Sequence, residues 1–202
     1  MDRQAETRLI PWERMLRYDA FVIGLFVVAL IAGWGLKSWA ETRVTAFTAP
    51  DANLSLSYPE SWTRQTEKGA LLSIRDLRSG GTFKATFSVE VRELDPTTIK
   101  PVQDLAELLA EEKEQELRAY RVLAMSDTEV DGVEAVRISY AYDDEPTGGP
   151  FQKPLPVVVQ GVDTLVIHGS NLYIFTLAAP ATTFSEQVEI LDGILDSVNL
   201  EE

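Results

Sequence analysis

The chain has 202 residues, 45% hydrophobic and 25% charged, with 12 Gly and 10 Pro, which excludes a collagen-like or wholly disordered polypeptide and suits one domain plus an appendage. A formal net charge of −14 repels phosphate and excludes a broad nucleic-acid-binding surface. With no cysteine and one histidine, disulfides, thiolate metal sites and a Cys nucleophile are excluded, and a His-built metal centre has little to work with.

Residues 20–36, AFVIGLFVVALIAGWGL, run for seventeen positions without a charge. At helical rise that is ~26 Å, and Lys37 can snorkel so that the span reaches residue 39. No polar stripe breaks the run, as one would in a soluble core helix. Trp12, Tyr18, Trp34 and Trp39 flank it, where amphipathic rings settle at headgroup level. Arg3, Arg8, Arg14 and Arg17 precede the segment, while only Lys37 and Arg43 follow it closely. The positive-inside rule then leaves the N-terminus in the cytoplasm. The expected order is a cytoplasmic tail (1–19), a transmembrane helix (20–39), a tether (40–50) and an extracytoplasmic domain (51–202). A cleaved signal peptide is the rival, since residues 38–40 and 44–46 are passable cleavage patterns. The apolar run is longer than the usual h-region of about 7–15 residues, and a long, partly acidic stretch precedes it, which favours a retained anchor. Ala20/Gly24 and Ala29/Gly33 are small-xxx-small pairs that would let a partner helix approach, though such pairs also arise by chance.

Beyond residue 46 the pattern changes to short alternating segments. Residues 54–58 (LSLSY) read as a strand that Pro59 and Trp62 end, and a second short strand is expected over 71–75. A turn at 78–81 (RSGG) leads into the clearest strand. There Phe83, Ala85, Phe87, Val89 and Val91 share one face, and Lys84, Thr86, Ser88, Glu90 and Arg92 the other, so one side packs and one stays wet. A helix follows Pro101, with Val102, Leu105, Leu108, Leu109 and Leu117 as its apolar stripe. Asp104, Glu107, Glu111, Glu112, Glu114 and Glu116 form its solvated face. Then come a strand near 120–126, a turn at Asp131-Gly132, and a strand carrying Val136, Ile138, Tyr140 and Tyr142 on one face. Residues 143–156 (DDEPTGGPFQKPLP) are expected to be a loop. Two strands, 157–168 and 172–178, are joined by a turn at 169–171. The last element is a helix over 183–198, with Thr183 and Glu186 at capping-box spacing and Phe184, Val188, Leu191, Leu195 and Val198 on one face. Strands, helix, strands, helix without βαβ alternation predict an α+β domain, helices packed on an antiparallel sheet.

The order of elements resembles the PsbP-like family, named after an extrinsic photosystem II subunit and shared by bacterial envelope proteins. The resemblance rests on Phe47, the 54–62 segment LSLSYPESW, the Asp131-Gly132 hairpin before 135–142, and the terminal block LYIFTL, Phe184 and ILDSV at 194–198. A strand ending in P-x-x-W, a late hairpin and a final helix with a Ser-containing tail recur in that family. The resemblance covers residues 46–200. It implies the fold, and a mostly non-enzymatic role of binding larger protein assemblies or apolar molecules. It carries over no cofactor and no ligand residue.

The residues themselves point the same way. There is no GxSxG, Gly-rich phosphate loop or HExxH, so no catalytic, cofactor or metal residues are assigned. His168 ends an apolar strand and reads as a sheet-edge side chain. Asp127 to Gly132 begins like a calcium loop, but position twelve is Ile138 where a bidentate Glu is needed, so a hairpin is the better reading. Long proline-rich loops in compact domains carry function. Asp143, Asp144, Glu145 and Phe151 are therefore the candidate partner-binding residues. The expected function is a single-pass, membrane-anchored, extracytoplasmic binding or accessory protein. Its partners would be the bilayer, through 20–39, and another membrane or envelope protein. A carrier or sensor for a small apolar ligand or lipid is the alternative. After residue 46 the chain has 12 basic and 27 acidic side chains, net −15. Such a domain is expected to keep off an anionic lipid surface, with the tether as a stand-off.

Overall fold

The computed structural model describes residues 43–95, 100–145 and 155–200. The expected tail and transmembrane helix lie outside these residues; among those described, no helix is long and apolar enough to cross a membrane.

The folded unit begins at Val44. Its strands are β1 (Val44–Ala49), β2 (Leu54–Pro59), β3 (Thr63–Gln65), β4 (Ala70–Arg75), β5 (Thr86–Glu93), β6 (Arg121–Val130), β7 (Val133–Asp144), β8 (Val157–His168), β9 (Asn171–Pro180) and β10 (Asn199–Leu200). Helix α1 is Val102–Glu116 and α2 is Phe184–Leu195. Every strand pair is antiparallel, in a three-stranded sheet β1-β2-β10 and a seven-stranded sheet β3-β4-β5-β9-β8-β7-β6. The expected α+β architecture is what forms.

Period-two patterning decides which side of the large sheet is core. Phe87, Val89, Tyr173, Phe175 and Leu177 point to one side and bury against Leu54, Leu56 and Tyr58 of the small sheet and Leu191, Ile194 and Leu195 of α2. On the opposite side Val136, Ile138, Tyr140, Leu165 and Ile174 bury against Val102, Ala106 and Leu109 of α1. Both faces of β8 and β9 are thus covered, which is why those strands read as nearly unbroken apolar runs.

Two tight turns fix the meander. Asp131 (φ 51°) and Gly132 (φ 74°) are both left-handed, the type I′ geometry that an Asp-Gly pair favours. Asp131 also accepts the Leu200 N–H at 2.9 Å, tying β10 to the turn. Between β8 and β9 the turn is Gly169-Ser170 alone, because Asn171 already pairs with His168.

Several expectations are corrected. Residues 44–49, assigned to the tether, form β1, because Phe47 packs on the main core. Leu108 is 44% exposed, and Ala106 takes its place in the α1 stripe, since small residues let the helix approach the sheet. Thr183 makes no side-chain cap bond; its hydroxyl donates to the Pro180 carbonyl at 3.4 Å. Helix α2 stops at Leu195, so Val198 is buried in the extended chain entering β10. Ser197 stabilises this exit: its Oγ accepts the Ser57 N–H at 2.9 Å and donates to the Ile194 carbonyl at 2.7 Å. Asp143 and Asp144, expected in a loop, extend β7 against Val158 and Val157.

Candidate functional site

Cross-strand register builds a polar row on the α1 side of the large sheet. Gln65 stands opposite Ser73, Ser73 opposite Ser88, Ser88 opposite Thr176, and Thr176 opposite Asp163. Directly opposed residues share a face, so the row crosses five strands. The neighbouring row places Arg75 opposite Thr86, Thr86 opposite Ala178, Ala178 opposite Gly161, and Gly161 opposite Tyr140. Helix α1 lies over β7 and β8. The β3–β5 side of the two rows floors a cavity of about 700 Å³, walled by Lys113, Glu116 and Leu117 at the end of α1 and by Phe83 and Lys84 before β5.

The inner end of the cavity is closed by a buried ion pair. The Asp163 side chain is 0% exposed. Lys113 Nζ lies 2.8 Å from its Oδ1 and 2.7 Å from its Oδ2. Thr176 Oγ1 donates to Oδ1 at 2.8 Å and Tyr140 Oη at 3.2 Å, and Lys113 also donates to Tyr140 Oη at 2.8 Å. With an ammonium and two hydroxyls directed at it, this carboxylate serves as an internal strut that ties α1 to the sheet. Gly161 makes room for this arrangement, because a Cβ there would sit 2.4 Å from the Tyr140 ring.

Tyr120 and Tyr142 flank the Tyr140 ring at centroid distances of 5.2 and 6.2 Å. Burial, then the negative charge of Asp163, pushes the Tyr120 phenol up to about 12 and Tyr140 well above its usual value. Burial, then Asp144, raises Tyr142.

A second feature sits at the sheet edge. Among the described residues, strand β6 pairs only with β7. Every residue from Arg121 to Asp127 is exposed, including the apolar Val122, Leu123 (52% exposed) and Met125. The register slips between Val122 and Ala124, a bulge that turns Leu123 out of the ladder. Between α1 and β6 runs a groove of about 340 Å³ lined by Ala110, Glu111, Glu114, Tyr120, Arg121 and Val122.

The expected site residues are distributed differently. Asp144 lines the cavity, the Asp143 N–H donates to the Arg118 carbonyl at 2.9 Å, and Glu145 pairs with Arg118; Phe151 lies outside the described residues. His168 sits half-buried at the end of β8. Asp127 belongs to β6 and leads into the Asp131-Gly132 turn, so the expected hairpin forms. Sequence reasoning missed Asp163, Lys113, Thr176 and Arg75. Two of these had a signal: Asp163-Thr164 interrupts an apolar strand, and Lys113 is the one cation in the acidic helix.

Neither a protein-family model nor a curated protein sequence matches the chain. Solved structures do. The chain is similar to cyanobacterial PsbP (CyanoP) from Synechocystis at TM-score 0.59 and 14% identity, covering 78% of this chain and 92% of that one. It is similar to LpqN of Mycobacterium tuberculosis, described as involved in cell envelope biogenesis, at TM-score 0.54 and 10% identity, over 79% and 91% of the two chains. The Saccharomyces cerevisiae Ran-binding protein Mog1p matches at TM-score 0.53 and 9% identity, over 78% and 95%. The folded unit has the PsbP-like fold.

Proposed function

We propose that the chain is a non-catalytic binding module, held at a membrane by residues 20–39 with its PsbP-like domain outside the cytoplasm, and that it serves as an accessory component of a membrane-associated protein assembly. The observation carrying this reading is the β6 edge: ten residues long, unpaired on one side among the described residues, and carrying the exposed apolar residues Val122, Leu123 and Met125. Soluble domains normally protect such an edge with lysines, prolines or a covering segment, so an exposed one marks a place where another chain adds. Three further points support the reading. The most buried carboxylate is consumed by structural donors. One neighbour of the same fold is described as Ran-binding, and another as involved in cell envelope biogenesis. The apolar-ligand alternative finds no counterpart in the cavity, whose floor is hydroxyl and guanidinium.

The expected partner is a membrane or envelope protein that contributes an extended segment to β6. Asp143 and Asp144 would adjoin it, since they end the neighbouring strand, with Glu145 next in the chain. The test is co-purification of the full chain in mild detergent, comparing Leu123→Lys with Leu77→Lys, the latter an equally exposed apolar position at 53% outside β6. The account expects L123K to lose its co-purifying proteins and L77K to keep them. Identical protein profiles for the two variants would refute the β6 assignment.

A further inference from the structure

Among the cavity side chains, Arg75 carries a buried donor that the fold leaves unused. It sits mid-sheet on β4, opposite Thr86, half-buried. Its Nε is shut off from solvent and has no hydrogen-bond partner, and the guanidinium makes no ion pair, among the described residues. A buried donor left unsatisfied costs free energy, and a guanidinium in a polar cavity presents a planar fork that matches a carboxylate or phosphate. The surroundings extend the pattern. Lys84 lines the same end, while Glu116 and Asp144 line the opposite, α1–β7 side, with Ser88 and Thr86 on the floor between. The strand order places β4 four strands from β7, roughly 19 Å at the usual interstrand spacing. Glu116 and Asp144 are therefore too far from Arg75 and Lys84 to share one small ligand with them. Glu67 also lines the cavity and is exposed on the turn between β3 and β4, so the positive character is confined to the Arg75–Lys84 corner.

We infer that this cavity binds a small hydroxylated organic acid, such as a sugar acid or sugar phosphate. Its oxyanion docks on Arg75 beside Lys84, and its hydroxyl groups meet the Ser73, Thr86 and Ser88 hydroxyls on the adjoining floor. A ligand without hydroxyl groups would leave those floor hydroxyls unmatched, and an uncharged sugar would leave the guanidinium without its best partner. A molecule with both functions satisfies both. The volume of about 700 Å³ is within the range of small-molecule sites. The inference is independent of the membrane anchor and of β6, and L123K should bind the acid as the wild type does.

The test uses the full-length ¹⁵N-labelled chain in mild detergent, observing the Arg75 Nε–H signal (identified by its loss in Arg75→Gln) and the Thr86 and Ser88 amides. Glucuronate and glucose 6-phosphate are the probes, against glucose and against sodium chloride at matched ionic strength. The expected result is a saturable shift at all three positions with at least one acid, and little or none with glucose or chloride. R75Q should weaken the response of the two amides by roughly tenfold or more, as loss of a charge-assisted bidentate contact predicts. Where R75Q disturbs the fold, Arg75→Lys, which keeps the charge and loses the fork, should still bind measurably more weakly than wild type. No saturable shift with either acid, an equal response to glucose, or undiminished binding in both Arg75 variants would overturn the inference.

Discussion

Asp163 shows how one residue organises this domain. A charge taken fully out of water is tolerated because Lys113 reaches it from α1 and two hydroxyls reach it from the sheet, and removing one partner of a buried pair costs more than removing both. Lys113→Met is expected to lower the unfolding free energy of the full chain by about 3–5 kcal/mol. Adding Asp163→Asn should recover part of that loss, in a double-mutant cycle read by urea denaturation. Additive losses would mean that the pair is not coupled. The neighbouring tyrosines give a pH signature. With its folded-state pKa raised, Tyr120 keeps its proton when the unfolded chain, ionising near the ordinary phenol value of 10.0, has lost it. The stability contribution is therefore fully present below pH 10 and lost as pH rises toward about 12. Tyr140 and Tyr142 shift in the same direction. Spectrophotometric titration of the native chain should show a group of phenols ionising late, with stability falling above pH 10. Six phenols titrating together near 10 in the native state would contradict the packing of this cluster.

Among the elements, what could be read in the sequence tracks how local the deciding physics is. The β5 strand, the Asp131-Gly132 turn and the β7 face carrying Val136, Ile138, Tyr140 and Tyr142 follow from side-chain alternation and turn chemistry, and all form. Strands β1 and β10 were invisible because each exists only by pairing with β2; two residues at Asn199–Leu200 carry no period of their own. Leu108 was misassigned for a related reason. Helical phase alone places it near the stripe, but the sheet surface accepts Val102, Ala106 and Leu109. The polar row was half legible. The wet face of β5 was expected, yet that Ser88 aligns with Thr176 and Asp163 depends on β5 pairing with β9, eighty-odd residues later in the chain. Arg75 gave no signal, since an unpaired arginine reads like any other charge until its neighbours are placed. The β6 edge was read as a strand without its consequence. The free edge follows from β6 ending the sheet order, and that is the property L123K addresses.

For the molecule as a whole, two surfaces with different chemistries sit on one PsbP-like scaffold: an exposed apolar edge at β6 and a half-open polar cavity floored by β4 and β5. They lie toward opposite ends of the strand order, so one domain can engage a protein at β6 while holding a small acid at Arg75. A net charge of −15 beyond residue 46 argues against adhesion to anionic lipid, so the proposed membrane attachment rests on residues 20–39. Because the chain contains no cysteine, Leu77→Cys supplies a single thiol at an exposed position outside β6, and its reactivity reports the compartment directly. In cells making the full-length variant, a membrane-impermeant maleimide should label this thiol without lysis, on a protein that stays in the membrane pellet after alkaline carbonate extraction. Labelling that requires lysis, on a protein recovered in the soluble fraction, would contradict the account at its centre.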